Sequence, residues 1–274
     1  MEFVAILNVH DNPDLVRDTL ESIEHNLTSN IVLIVDAKGW DHFRYFKHNN
    51  VVVEKGVFHG VGRSPYKNCA LGLLKARSLW PKAAWYCYLE FDVVLFTDGF
   101  KADLAKLADI DDLCLVGTDV VPLDGNDHWI VKEILNDRRV SSYRTLGAVM
   151  CFSNYCMKCW ESVNFLKLLL EKTHLYHADY FPNFRSYAVE EVVFPSAAAA
   201  FGRILDIQKS NPPKYPVRFS PPVNEREIMS NTTMAHPCKF LDSPVRKISK
   251  IIRNGFLNDR LQTTPHNIIS RIHI

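Results

Sequence analysis

The stretch Trp85-Tyr86-Cys87-Tyr88-Leu89-Glu90-Phe91-Asp92-Val93-Val94-Leu95-Phe96 is apolar almost throughout and carries two acids. Its apolar part predicts a strand buried on both faces, as in the middle of a parallel sheet. Glu90 and Asp92 are then costly, because a carboxylate buried without a partner loses its hydration for nothing. Residues two apart on an extended chain point to the same side, so the two acids can face one cation. At the C-terminal end of a strand they also lie where open α/β sheets bind ligands. A hard divalent ion, Mn²⁺ or Mg²⁺, takes oxygen ligands and bridges readily to a diphosphate. The plain alternative is that one acid pairs with an arginine and the other sits at a solvated strand end.

Outward from this strand, short apolar runs alternate with helical segments. That alternation predicts an α/β fold with a mostly parallel central sheet flanked by helices, a single Rossmann-like domain. Residues 3–9 read as the first strand, 31–35 as a second ending at Asp36, and 51–54 as a third; 113–117 and 147–153 read as later ones. A helix is expected over 14–25, with Leu15, Leu20 and Ile23 near one face and Asn12-Pro13 as its start signal. Another spans 65–80, with Ala70, Leu73, Leu74 and Arg77 at helical spacing. Residues 154–172 predict one amphipathic helix carrying Cys156, Trp160, Val163, Leu166 and Leu170 on a stripe. A helix over 190–201 is closed by Gly202 as a C-terminal stop.

At 274 residues and 47% hydrophobic, the chain can bury a large core without a disulfide or metal staple. A net charge of +1 gives no reason to expect a nucleic-acid partner. The charge is uneven, however. From Ser243 onward the bases Arg246, Lys247, Lys250, Arg253, Arg260 and Arg271 face one acid, Asp259. Residues 1–242 are therefore read as the domain and 243–274 as a basic helical tail. Its Val245, Ile248, Ile251 and Ile252 share a helical face, a pattern that suits a helix on an anionic membrane surface or one docked on its own domain. Docking is favoured over peripheral membrane contact, since interfacial helices usually carry bulky aromatics and this one has only Phe256.

The opening run Phe3-Val4-Ala5-Ile6-Leu7 is too short for a signal peptide and lacks its basic flank and cleavage site, so none is expected, and no apolar run approaches bilayer length. The seven cysteines are odd in number and lie in apolar segments. A cytoplasmic protein is expected. Cys156 and Cys159 form a C-x-x-C inside a helical pattern, with no second pair at zinc spacing, so a structural role is favoured.

Leu89-Glu90-Phe91-Asp92 resembles the acidic D-x-D motif of GT-A glycosyltransferases, here as E-x-D. The resemblance covers roughly residues 3–240 and rests on motif order rather than close identity. It implies that Asp92 binds a metal bridging the two phosphates of a nucleotide-sugar, and that Glu90 contacts the ribose or a metal-bound water. Asn8 and His10 after the first strand, and Asp36 after the second, match the positions that grip the nucleoside. Arg63, Lys67 and Asn68, in Gly62-Arg63-Ser64-Pro65-Tyr66-Lys67-Asn68, match the loop and helix start beside base and phosphates. Val189-Glu190-Glu191, followed by a helix and Gly202, is similar to the family's E-D motif, which implies Glu191 as the catalytic base, with Glu190 as the other candidate, and an inverting reaction. Met234-Ala235-His236-Pro237 is similar to the segment whose histidine completes the metal shell. By resemblance the donor is a UDP-sugar and the acceptor a glycan or other hydroxyl, with His128 and Trp129 as weak acceptor contacts.

The chemistry suits those residue types. Breaking the anomeric bond puts negative charge on the leaving phosphate, which a metal and Lys67 or Arg63 neutralise. A carboxylate at a helix N-terminus can take the acceptor's proton, although the dipole there lowers its pKa and weakens it as a base. Each residue has a structural alternative: Glu190 and Glu191 as ordinary first-turn acids, His236 as a loop histidine, Asp36 as a strand-end acid. Two rival functions share the architecture. Sugar-phosphate nucleotidyltransferases place a glycine-rich loop after the first strand, whereas residues 7–22 contain no glycine; dinucleotide oxidoreductases are disfavoured on the same ground. A non-catalytic nucleotide-binding or interaction module is the other rival.

Overall fold

The structure is a computed structural model that describes residues 1–57, 65–123, 129–136, 140–172, 188–210, 214–218, 221–228 and 231–254. The chain runs β1 (Phe3–Val9), α1 (Pro13–Asn26), β2 (Ile31–Val35), α2 (Trp40–Phe43), β3 (Val51–Lys55), α3 (Tyr66–Leu79), β4 (Trp85–Glu90), β5 (Val94–Leu95), α4 (Gly99–Leu107) and β6 (Leu113–Gly117). There follow β7 (Val121–Leu123), α5 (Trp129–Leu135), β8 (Ser142–Arg144), β9 (Val149–Ser153), α6 (Asn154–Ser162), α7 (Phe165–Glu171), α8 (Glu190–Ala199) and β10 (Arg203–Asp206). Later come β11 (Met234–Ala235) and a helix, Pro244–Arg253, labelled α9 here.

Seven strands form one sheet in the order β10-β6-β9-β4-β1-β2-β3. All neighbours are parallel except β9, which runs antiparallel to both β4 and β6. This is the expected mostly parallel α/β architecture. Alternate residues of each inner strand feed two cores: Val4, Ile6, Tyr86 and Tyr88 pack on one face against α3, α6, α7 and α8, while Ala5, Leu7, Cys87 and Leu89 pack on the other against α1 and α4. Burial on both faces is why these strands read as unbroken apolar runs.

The chain passes from β1 outward through β2 and β3, then returns to place β4 on the other side of β1. That reversal is the topological switch point, where α/β sheets leave a crevice at the strands' C-terminal ends. Asn8 and Glu90 sit side by side there in the β1–β4 register.

Three expectations need correction. The run 85–96 is not one strand: the chain turns at Phe91-Asp92, with Val93 N donating to the Glu90 carbonyl at 3.1 Å, and β5 then pairs antiparallel with β11 in a separate small sheet. Burial keeps both pieces apolar, so the break leaves no mark in the hydropathy. The single helix expected over 154–172 is two, α6 and α7, parted where Asn164 adopts a left-handed φ of 53°. Asparagine tolerates that conformation well. The break moves Phe165 and Leu169 inward and leaves Val163 and Leu170 only partly buried. Finally, regular pairing in the strand expected at 147–153 begins at Val149, because Gly147 N is bonded to the Glu191 side chain instead.

Other local signals held. Asn12 caps α1, its Oδ1 accepting from Leu15 N at 3.1 Å. Gly202 follows α8, though its importance is one of space: a Cβ there would lie 2.0 Å from the Asp112 carbonyl oxygen.

The described part of the basic segment, residues 243–254, folds back on the domain, and the rest of the segment lies outside the described residues. Val245 and Ile248 of α9 join Val94, Phe96, Ala235 and Cys238 in a third apolar cluster. None of the described helices is long and apolar enough to cross a membrane.

Candidate active site

Two chain segments meet in front of the β1–β4 crevice. The first is the turn that ends β4 and carries Glu90 and Asp92. The second leaves β11 and carries His236. Cys238 N donates to the Asp92 carbonyl at 2.9 Å and joins the two. His236 Nε2 lies 2.8 Å from Glu90 Oε2 and 3.0 Å from Asp92 Oδ1. The first contact is a hydrogen bond; the second is off the direction of one, and Asp92 Oδ1, fully enclosed, has no hydrogen-bond partner.

Ligand atoms of Glu90, Asp92 and His236 all lie within 4.8 Å of one another. Asp92 and His236 are each 3% exposed, whereas the Glu90 side chain is 40% exposed. The sequence expectation that the two acids converge is met, but by the Phe91-Asp92 turn and not by the two-residue period of a strand.

Burial disfavours the charged imidazole of His236, yet the close carboxylates of Asp92 and Glu90 outweigh it and push its pKa up to about 10. Asp92 shows the reciprocal effect: burial raises its pKa, but His236 and the Lys239 charge bring it below the usual carboxylate value. The two carboxylates that raise the His236 pKa place negative charge that a bound cation would also satisfy. Two carboxylates, one with an orphaned oxygen, and one imidazole nitrogen make a donor set that fits Mn²⁺ or Mg²⁺.

A cavity of about 440 Å³ opens over this cluster, lined by Asn8, His10, Pro65, Tyr88, Glu90, Asp92 and Lys239 among others. Asn8 Oδ1 is buried there without a hydrogen-bond partner. The His10 ring meets Phe91 edge-on, with centroids 5.3 Å apart. Asp36 is 2% exposed and does not line the cavity; its Oδ1 accepts from Lys38 N at 2.9 Å in the turn after β2. That turn presses on the β1 end, since a Cβ on Gly39 would lie 2.0 Å from the His10 carbonyl oxygen.

Lys67 and Asn68 lie in the first turn of α3. Burial lowers the Lys67 pKa. Asn68 is turned to the backbone, accepting from Val57 N at 2.8 Å and donating to the Val57 carbonyl at 3.2 Å. It therefore fixes the lead-in to residues 58–64 and is not itself a lining residue. Arg63 and His128 lie outside the described residues. Trp129 begins α5.

Glu190 and Glu191 open α8 and are both buried. Glu191 Oε1 accepts from Gly147 N at 2.9 Å, and Oε2 accepts from Ala188 N at 3.1 Å. Burial raises the Glu191 pKa, the two backbone N–H groups lower it, and the Glu90 charge raises it; the net direction is upward. The expectation that the helix N-terminus would weaken this carboxylate as a base is thus reversed, because desolvation outweighs the backbone dipoles. Glu190 acts electrostatically on Cys69 and Tyr88.

Sequence reasoning missed Tyr88 and Lys239. Tyr88 is 2% exposed, and its hydroxyl pKa is pushed up by burial and by the charges of Glu190, Glu90 and Glu191. It stands two residues before Glu90 on the same strand face, a signal the period of a strand supplies. Lys239 follows His236 by three residues, in a loop where nothing periodic marks it.

No protein-family model and no curated protein sequence matches the chain. Similar solved structures include a glycosyltransferase involved in glycosylation of the major capsid of PBCV-1, at 11% identity and a TM-score of 0.44 over 92% of this chain and 98% of that one. Another is the mannose-1-phosphate geranyltransferase of Thermus thermophilus, at 15% identity and a TM-score of 0.38 over 76% of this chain and 70% of that one. A third is the mannosyltransferase PcManGT of Pyrobaculum calidifontis, solved with GDP-Man and Mn²⁺, at 12% identity and a TM-score of 0.35. That match spans 59% of this chain and 46% of the other. At such identities and TM-scores the likeness assigns no activity to this chain.

Proposed function

We propose that the chain is a metal-dependent glycosyltransferase of the GT-A type, moving a sugar from a nucleotide-sugar to an acceptor hydroxyl with inversion. The observation that carries the proposal is the convergence of Glu90, Asp92 and His236 below a cavity at the β1–β4 switch point. Bound there, Mn²⁺ or Mg²⁺ would supply positive charge beside the donor's diphosphate. Asn8 and His10 on the cavity wall are assigned to the nucleoside, Asp36 to holding the turn behind them, and Glu90 to the ribose or a metal-bound water. Lys67 and Lys239 are assigned to supply further charge to the leaving phosphate, with Arg63 assigned to the same role by the sequence resemblance alone.

The acceptor oxygen attacks the anomeric carbon, its proton passes to Glu191, and the bond to the phosphate oxygen breaks with its electron pair leaving on the nucleoside diphosphate. Glu191 suits the task because burial makes it more basic than a solvated glutamate, while two backbone N–H groups fix its direction. Glu190 is the alternative base. His128 and Trp129 remain assigned to the acceptor side. Seven free cysteines, six of them buried, support the cytoplasmic reading.

A thermal-shift screen of UDP- and GDP-sugars with and without Mn²⁺, followed by an assay for slow release of free nucleoside diphosphate, tests the proposal. Metal-dependent stabilisation and release support it. Nucleotide binding without any turnover would favour a non-catalytic module.

A further inference from the structure

We infer that Arg246, on α9, is a positioning residue for the cation site, holding the two ligand-bearing segments in register; the inference rests on reading Glu90, Asp92 and His236 as that site. Arg246 is fully buried, at 0% exposure. A buried ion pair is a poor source of stability, since desolvation offsets the attraction, and its best-attested use is to fix one arrangement. The contacts of Arg246 show which arrangement that is.

Arg246 Nε donates to the Cys238 carbonyl at 2.7 Å, two residues beyond His236. Its two terminal nitrogens both point at Thr19 Oγ1, at 3.2 and 3.1 Å, and one also binds Asp18 at 2.6 Å. With guanidinium N–H groups filling its acceptor side, the Thr19 hydroxyl must send its own hydrogen elsewhere. It donates to the Phe91 carbonyl at 2.6 Å. Phe91 is the residue between Glu90 and Asp92. One guanidinium therefore reaches the histidine segment directly and the carboxylate turn through one hydroxyl. Asp18 neutralises it and is shared with Arg253 at 2.6 Å and Lys250 at 3.6 Å. Those two cations hold α9 to α1 without touching either ligand segment, which makes Arg253 the natural control.

The same relay explains why a basic helix docks here. Ser249 Oγ donates to the Leu95 carbonyl at 3.3 Å, and Val245 and Ile248 cover β5 and β11 from behind. The docking thus reinforces the two short strands from which the ligands project.

The test measures Mn²⁺ affinity of the full chain by electron paramagnetic resonance, without nucleotide, beside the unfolding temperature. Wild type, Thr19→Val, Arg246→Lys and Arg253→Ala are compared. Thr19→Val keeps shape and the Arg246–Asp18 pair but cannot donate to Phe91. It and Arg246→Lys should weaken Mn²⁺ binding by about 10- to 100-fold, the range typical when groups behind metal ligands are lost. Arg253→Ala should lower the unfolding temperature and leave Mn²⁺ affinity unchanged. A folded Thr19→Val protein with wild-type affinity overturns the inference. So does a loss of affinity in all three variants that merely tracks their unfolding temperatures, because docking alone then explains it. Wild-type protein that takes up no Mn²⁺ overturns the cation site itself, and the positioning role with it.

Discussion

The Nδ1 atom of His236 lies 2.9 Å from the carbonyl oxygen of Arg218. A carbonyl can only accept, so Nδ1 keeps its proton whether the imidazole is charged or neutral, and Nε2, which gives up its proton when the ring is neutral, is the atom presented to Glu90 and Asp92. This is the arrangement by which proteins fix a histidine tautomer for a metal. Arg218 is itself anchored, with its guanidinium bonded to Glu227 through both terminal nitrogens.

It follows that His236→Ala should weaken Mn²⁺ binding by more than the about 10- to 100-fold that loss of a group behind a ligand costs. Titration of free Mn²⁺ by electron paramagnetic resonance measures it. An unchanged affinity would remove His236 from the shell.

The base assignment makes a kinetic prediction. Glu191→Gln keeps size but cannot accept the proton, so transfer should fall by about 10²- to 10⁴-fold with donor affinity nearly unchanged. A large loss in Glu190→Gln with a small one in Glu191→Gln would exchange the two roles. Because burial raises the Glu191 pKa above its ordinary 4.5, the acid limb of the wild-type rate profile should fall at a pH higher than that. Turnover must drop as pH decreases through the raised value, since only the ionised form accepts a proton. The limb should vanish in Glu191→Gln.

Asp18 has a pKa shifted in the opposite direction, and it predicts a pH-dependent stability. Burial would raise its pKa, but Arg246 and Arg253 outweigh burial and hold it below the ordinary 3.8. The unfolded chain thus binds the proton first as pH falls. The stabilisation is present above about 3.9, the value for an unfolded aspartate, and is lost as pH falls through the folded value. Urea midpoints of wild type and Asp18→Asn should converge towards acid pH. Parallel curves would assign the stabilisation elsewhere.

Much of this was legible in the sequence, for identifiable reasons. β1, β2 and β6 are buried on both faces and bounded by polar residues, so their limits follow from hydropathy alone. Glu90 and Asp92 stood out because carboxylates in an apolar run are costly. What stayed hidden depends on contacts far apart in sequence. The break after Glu90 is set by the pairing of Val94 and Leu95 with Ala235 and Met234, at the far end of the chain. Glu191 is raised by burial beneath a loop at Gly147, and local helix electrostatics pointed the other way. Asn68 looked like a ligand-binding amide because its engagement by Val57 has no sequence signature.

The docked helix yields a stability prediction. Ile248 is 7% exposed, and Ile248→Ala should cost about 2 to 5 kcal/mol, the usual range for a buried isoleucine cut to alanine. Chemical denaturation measures it. A negligible loss, together with wild-type protein that binds anionic liposomes through this segment, would restore the membrane alternative.

The most direct test of the cation-dependent donor site is calorimetric titration of nucleoside diphosphate, UDP and GDP separately, into wild-type protein and Asp92→Asn with and without Mn²⁺. The substitution removes charge but keeps shape. At least one nucleotide should bind wild type more tightly when Mn²⁺ is present, and that gain should be absent in a still-folded Asp92→Asn protein. Equal affinity with and without Mn²⁺ in wild type, or an undiminished gain in the variant, would contradict the account.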